Sequence, residues 1–148
     1  MFKELESAKV GASKTLAAAL DQLAYNEDGL LPAVAQQHDS GQVLTLAWMN
    51  RAAIEETLAT GRVCYWSRSR QVFWRKGESS GHIQKLKELR IDCDGDSLLL
   101  LVDQTGPACH TGRQSCFYLG VRDDRVRVLN EVLVDPREMY ATKDRDPP

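Results

Sequence analysis

The sequence predicts a sheet-dominated α+β fold, a single domain with an N-terminal helix and one short helix. Three observations predict it. Leu44, Leu46 and Trp48 alternate with Val43, Thr45 and Ala47, and Leu89, Ile91 and Cys93 alternate with Arg90, Asp92 and Asp94, which is the period of a strand. Only two stretches carry the spacing or punctuation of a helix. At 148 residues, 43% hydrophobic and 27% charged, the chain suits one core and has ordinary globular composition, which excludes collagen-like, low-complexity and wholly disordered chains.

The elements follow in order. Leu16, Leu20 and Leu23 recur at helical spacing within Ser13–Tyr25, and Asn26-Glu27-Asp28-Gly29 breaks that helix. Leu31–Gln37 and Val43–Met49 flank the turn-forming His38-Asp39-Ser40-Gly41, which predicts a hairpin. Asn50 can cap a helix from Arg51 to about Thr60, because its side-chain oxygen accepts an orphan backbone N–H. Gly61 suits the left-handed position past its end. Arg62–Ser67 and Gln71–Arg75 are β-branched and aromatic, and Leu98–Asp103 forms a further strand. Val126, Val128 and Val132–Val134 suggest more strand near the C-terminus. The composition divides the chain into an N-terminal helical extension (1–28), a main domain (29–134) and a polar, flexible tail (135–148).

Charge narrows the partners. Nineteen Lys and Arg against 21 Asp and Glu leave a formal charge of -2, so no global basic field recruits nucleic acid or an anionic membrane. Any anion site must be local. Met1–Ser7 lacks a signal-peptide pattern and the longest apolar run, Leu98–Val102, is too short to span a bilayer, so a cytoplasmic location is expected. In that reducing compartment Cys64, Cys93, Cys109 and Cys116 point to metal binding or catalysis before disulfides.

Asp92-Cys93-Asp94-Gly95-Asp96 places carboxylates at every second position. In an extended strand the three acids would share one face and Cys93 would point from the other, with Leu89 and Ile91. Three carboxylates held together repel unless a cation neutralises them, and hard oxygen donors favour Mg²⁺ or Ca²⁺. The same residues also suit a solvated turn, and spacing leaves both open. An EF-hand is excluded, since its sixth position is Ser97 where glycine is needed and Leu98–Val102 reads as a strand.

Cys109-His110-Thr111-Gly112-Arg113-Gln114-Ser115-Cys116 supplies two more thiols. With Cys93, the pair can give zinc three soft ligands and leave a fourth position for water, the catalytic arrangement. Zinc lowers the pKa of bound water toward neutrality. His110 can act as the proton relay, as a fourth ligand or as a structural hydrogen-bonder. Cys64, between Val63 and Tyr65, reads as core. Trp66-Ser67-Arg68-Ser69-Arg70 and Trp74-Arg75-Lys76-Gly77-Glu78-Ser79-Ser80-Gly81-His82 concentrate cations, hydroxyls and stacking rings, which suit a phosphorylated nucleotide. No GxxxxGK[ST] phosphate loop is present.

These blocks, with Leu46-Ala47-Trp48-Met49-Asn50 and Ser115-Cys116-Phe117-Tyr118, make the sequence closely resemble the phosphoribosyl-AMP cyclohydrolases of histidine biosynthesis over roughly Gly29–Val134. The resemblance implies an intertwined homodimer. It implies Zn²⁺ held by Cys93, Cys109 and Cys116 across the interface, and Mg²⁺ held by Asp92, Asp94 and Asp96. It further implies hydrolysis of 1-(5-phosphoribosyl)-AMP between N1 and C6 of the adenine ring. On that reading His110 relays protons, and Trp66, Arg68, Arg70, Trp74, Lys76, Glu78 and Ser80 meet the substrate. Leu119 stands where many members carry Arg. Many relatives also carry a fused pyrophosphohydrolase domain for which this sequence has no room, so one reaction step is expected.

Two rivals remain at this stage. One is a non-catalytic, zinc-stabilised module that binds nucleotides or RNA, which would need a closed four-ligand zinc and a basic surface. The other is a zinc deaminase, whose H-x-E and P-C-x-x-C signature is absent.

Overall fold

The computed structural model describes residues 1–139. Four strands form the main sheet: β1 (Leu31–Gln37), β2 (Val43–Met49), β5 (Gln84–Ile91) and β6 (Leu98–Gln104), in the order β2-β1-β6-β5. β1 runs parallel to β6 and the other two pairs are antiparallel. Two small hairpins complete the strands: β3 (Cys64–Ser67) with β4 (Val72–Arg75), and β7 (Leu119–Arg122) with β8 (Arg125–Val128). The fold is thus sheet-dominated α+β, as expected.

The β1–β2 hairpin turns through His38–Gln42, where the Gln37 amide donates to the Gln42 carbonyl at 2.8 Å. Leu31, Ala33 and Ala35 on β1 and Leu98, Leu100 and Val102 on β6 point inward, each at every second position. Against this face pack Leu44, Met49, Ile54, Val63, Cys64 and Tyr65. Cys64 is core, as expected. Burial, then its hydrogen bond to Glu56, pushes its thiol up to about 12.

Helix α3 (Arg51–Thr60) has the ends its sequence specifies: Asn50 Oδ1 accepts from the Ala53 amide at 2.8 Å, and Gly61 takes a φ of +73° with its N–H on the Thr57 carbonyl. Thr57 Oγ1 accepts from the Cys64 amide at 2.9 Å, which fixes the start of β3 on the helix. The N-terminal helix α2 is shorter than its periodicity suggests, Leu16–Gln22, capped by Thr15. Its Leu20 lies in the core together with Leu23, whereas Leu16 is exposed. A four-residue helix, α1 (Phe2–Leu5), precedes it and has no sequence signature.

Two expectations need correction. The alternation through Cys93 does not continue as strand: β5 stops at Ile91, and Asp92–Ser97 turns. Asp and Gly win there because the Asp92 carboxylate can accept from amides four and five residues on, an arrangement that a strand ladder cannot provide. Val132–Val134 is not a strand either, since Leu133 and Val134 donate to the Gly112 carbonyl and not to a ladder. At the start of the tail, Pro136–Met139 forms α4, with Met139 buried and Asp135 accepting from Arg137 N. Residues 140–148 lie outside the described part. Among the described residues, no helix is long and apolar enough to cross a membrane.

Candidate metal centre and nucleotide cleft

Cys109 opens a tight turn that the local sequence dictates. Gly112, with a φ of +83°, lets its amide return to the Cys109 carbonyl at 3.0 Å. The Cys109 amide donates to the Arg113 carbonyl and the Ala108 amide to that of Gln114, so the chain doubles back toward Cys116. Cys116 is then seated on β2, its amide 2.7 Å from the Leu44 carbonyl, while Ser115 Oγ donates to the Val43 carbonyl. The two thiols are thereby brought near each other, close enough to couple. A hydrogen bond from Cys116, then one from Thr111 Oγ1 at 3.1 Å, holds Cys109 as thiolate and its pKa down at about 5. The shared proton stays on Cys116, whose pKa rises through that bond to Cys109 and through burial.

A pair of soft sulfurs, one with its pKa lowered, fits a thiophilic cation such as zinc. Cys93 is not with them. Ile91 pairs with Leu98, Leu98 with Ala33 and Ala33 with Ala47, so Cys93, in the turn past the end of the edge strand β5, lies across the sheet from Cys116, which hangs on the β2 edge. Three strand spacings separate those edges, about 14 Å. Sulfurs sharing one zinc lie roughly 4 Å apart, given a bond of about 2.3 Å. One chain therefore cannot close all three sulfurs on one ion.

The Asp92–Ser97 loop has its own geometry. Asp92 Oδ1 accepts from the amides of Asp96 (2.9 Å) and Ser97 (3.2 Å). Ligand atoms of Asp92, Cys93 and Asp94 lie within 4.8 Å of one another, so Cys93 joins the acids on one side. Asp96 carries the cost of crowding: its hydrogen bond to Asp92, then burial and the charges of Asp92 and Asp94, raise its pKa. For Asp92 partial burial pushes upward, but hydrogen bonds from the Asp96 side chain and from the Asp96 and Ser97 amides outweigh it and lower the pKa. The hard oxygens of Asp92 and Asp94 fit a small divalent cation that would relieve this repulsion.

The residues expected at the substrate divide between two concavities. Trp66, Arg68 and Trp74 line a cavity of about 570 Å³ with Trp48 and Leu46. Arg68 stacks its guanidinium 4.6 Å from the Trp48 ring centroid, and Trp74 Nε1 is buried without an acceptor. Arg70 stands exposed in the β3–β4 turn, its amide on Ser67 Oγ. Glu78 and Lys76 border a second cavity of about 620 Å³ with Glu56, Arg62 and Arg75. Ser80 lies on the loop that follows, accepting from the His82 amide. Lys76 is buried, its ammonium 2.8 Å from the Ala108 carbonyl and 5.8 Å from the Trp74 ring, so its charge faces the Cys109 turn from inside. His110 projects from that turn into solvent.

A model of the phosphoribosyl-AMP cyclohydrolase family matches residues 45–118. The chain belongs to the phosphoribosyl-AMP cyclohydrolase family. It is 63% identical over 140 residues to a protein of that name from Alkalilimnicola ehrlichii, covering 95% of this chain and 99% of the relative. It is 60% identical over 139 residues to one from Hydrogenovibrio crunogenus (94% and 95% covered). It is 62% identical over 141 residues to one from Halorhodospira halophila (95% and 99% covered).

In this member of the cyclohydrolase family, sequence reasoning missed three neighbours of the cysteines and the cleft. Thr111 was within reach of it, because a hydroxyl two residues past a turn cysteine commonly bonds backward. Thr45, which hydrogen-bonds Cys116, and Trp48, beneath Arg68, come from β2 and carry no local signal. Leu119 is exposed at the start of β7.

Proposed function

We propose that this chain is a phosphoribosyl-AMP cyclohydrolase that opens the adenine ring of 1-(5-phosphoribosyl)-AMP by hydrolysis, a step of L-histidine biosynthesis in the reducing cytoplasm. The observation that carries this reading is the contacting Cys109–Cys116 pair, held by Thr111 and the β2 backbone in a chain of this family. When bound there, zinc supplies a water acidic enough to be nucleophilic at neutral pH.

The chain's own residues do the rest. The water oxygen bonds to C6 of the N1-substituted adenine, the C6–N1 bond breaks, one proton of the water ends on N1 and the other leaves the oxygen for the exocyclic nitrogen or solvent, so that C6 becomes a carboxamide. His110, exposed beside Cys109, takes the proton of the water and returns one to N1. The indoles of Trp66 and Trp74 hold the base in the cavity they line. Arg68 and Arg70 take phosphate oxygens with their forks. Glu78 and Ser80 border the same substrate, and Lys76 steadies the Ala108 carbonyl behind the cysteines. Asp92, Asp94 and Asp96 would hold Mg²⁺, which would neutralise the loop's own carboxylates.

The working unit of this reading is an intertwined homodimer. Cys93 of a second copy supplies the third sulfur, since one chain keeps it on the far edge of the sheet. The β7–β8 hairpin favours a second copy, because its apolar face has no cover in the single chain. Residues 29–134 form the cyclohydrolase domain, and 1–28 and 135–148 flank it.

The test is an absorbance assay with phosphoribosyl-AMP on the protein as purified, after chelation and after zinc restoration, with Cys109→Ser and Cys116→Ser alongside. Turnover that disappears on chelation, returns with zinc and is lost by at least about 100-fold in either variant is expected. Substrate binding without turnover in the zinc-replete protein would favour the non-catalytic module instead.

A further inference from the structure

We propose that Phe2 is a positioning residue for the Asp92–Ser97 loop: its ring braces Gly95 so that the loop's carboxylates are set for a divalent cation. The inference rests on the reading that this loop holds such a cation. The N-terminal extension has no part in the chemistry above, yet it grips the loop at two points. The Phe2 ring lies over Gly95 so closely that a β-carbon there would stand 2.5 Å from Cε2 and 2.6 Å from Cδ2. From another side the Ala24 amide donates to the Gly95 carbonyl at 2.8 Å. Gly95 is buried although Cys93, Asp94 and Asp96 around it are exposed.

Gly95 is the pivot of the turn. It takes a φ of +69°, and its amide donates to the Asp92 carbonyl at 3.1 Å. The next two amides, of Asp96 and Ser97, fix Asp92 Oδ1. A shift of Gly95 therefore moves all three carboxylates. Their mutual repulsion drives the loop to spread when no cation is bound, and beyond the loop's own hydrogen bonds the contacts on its inner side oppose that. Those contacts are few. Between α1 and the loop a cavity of about 350 Å³ remains, lined by Phe2, Leu5, Lys14, Asp92 and Cys93 among others. α1 itself has no side-chain cap, and Phe2 is its residue packed against the core. The ion pair of Lys14 with Glu4, at 3.4 Å, ties the rest of α1 to the segment that leads into α2. Residues that orient metal ligands without touching the metal commonly change affinity by about 10–100-fold.

The test uses the full-length, zinc-loaded, substrate-free protein with Mn²⁺ as the probe, read by electron paramagnetic resonance. Phe2→Ala is expected to weaken Mn²⁺ binding about tenfold, with zinc content unchanged. Phe2→Leu, which keeps an apolar side chain on Gly95, is expected to recover most of it. Hydrogen exchange at the Asp96 and Ser97 amides should quicken in Phe2→Ala while the β1 and β6 amides exchange as in wild type. The Mg²⁺ concentration for half-maximal turnover should rise in step. A Phe2→Ala protein with wild-type Mn²⁺ affinity, or with loop amides no faster than wild type, overturns the proposal alone. Wild-type protein that binds no Mn²⁺ and is indistinguishable from Asp94→Asn overturns the cation reading of the loop and this inference with it.

Discussion

Gly112 lies directly against the carbonyl of Val134, so that a β-carbon on Gly112 would stand 1.9 Å from that oxygen. The amides of Leu133 and Val134 both return to the Gly112 carbonyl, at 2.8 and 3.3 Å, and strap the C-terminal segment over the Cys109 turn. Gly112→Ala adds both a clash with backbone and a strained φ of +83°. A loss of about 2–3 kcal/mol in urea denaturation is expected, with a parallel fall in zinc per chain. A Gly112→Ala protein with wild-type midpoint and zinc content would show that the strap does not hold the turn.

Tyr65 and Gln84 are both fully buried, and the phenol donates to Gln84 Oε1 at 2.6 Å. Burial raises the Tyr65 pKa so far that it remains a donor at every working pH. Gln84 Nε2 has no partner of its own, so the phenol is what satisfies that side chain. Tyr65→Phe strands the buried carbonyl oxygen and is expected to cost about 1–3 kcal/mol, read from thermal unfolding. An unchanged Tm would mean that water or a rotated amide replaces the phenol.

Much of this was legible in the sequence where the interactions are local. The ends of α3 follow from Asn50 and Gly61, and the β1–β2 hairpin from alternation on either side of a turn. The Cys109–Cys116 contact follows from a Gly turn between two cysteines. The Asp92–Ser97 turn was half legible: its residues suit both a strand and an Asx-type turn, and the amides of Asp96 and Ser97 decide for the turn. What sequence could not show is set by sheet order. Cys93 and Cys116 stand on opposite edges only because β1 and β6 pair in parallel between them. The grip of Phe2 on Gly95 joins residues from opposite parts of the chain, and the burial of Lys76 depends on Ala108 arriving from another loop.

Arg75 makes a two-pronged ion pair with Glu56, Nε to Oε2 at 2.9 Å and Nη2 to Oε1 at 2.8 Å, joining β4 to α3 beside the second cavity. The hydrogen bonds from Arg75, then from the Cys64 thiol, lower the Glu56 pKa. The folded value lies below the unfolded one, so this pair stabilises the protein above the unfolded carboxyl pKa of about 4.3 and loses its contribution as pH falls through the folded value. Glu56→Gln is therefore expected to be less stable than wild type by about 0.5–1 kcal/mol at pH 7, with the difference shrinking as the pH is lowered below the unfolded carboxyl value and through the folded one. A difference that persists unchanged in acid would assign the loss to packing instead of charge.

The β7–β8 hairpin is amphipathic and half of it is uncovered. Leu119 faces Val128 and Val121 faces Val126 across the ladder, which puts four apolar side chains on one face while Arg122, Arg125 and Arg127 take the other. Those four are 56–79% exposed. Asp123 and Asp124 both adopt positive φ, the two-residue turn that matches strand twist, so the hairpin is well formed at its tip. Yet two strands alone are marginal in water, and an apolar face of this kind needs cover. The proposed dimer supplies it, and also brings Cys93 of one copy to the cysteine pair of the other. Val121→Asp combined with Val126→Asp would bury two carboxylates at that contact, at several kcal/mol each, and is expected to loosen association by roughly 100-fold or more. Sedimentation velocity should then show a monomer at concentrations where wild type is dimeric. If, as proposed, the third sulfur comes from the second copy, zinc per chain and turnover should fall together with dimer content, whereas Cys93→Ser should lower zinc and leave the dimer in place. A double variant that stays dimeric and keeps its zinc would place the interface elsewhere and remove the hairpin from it.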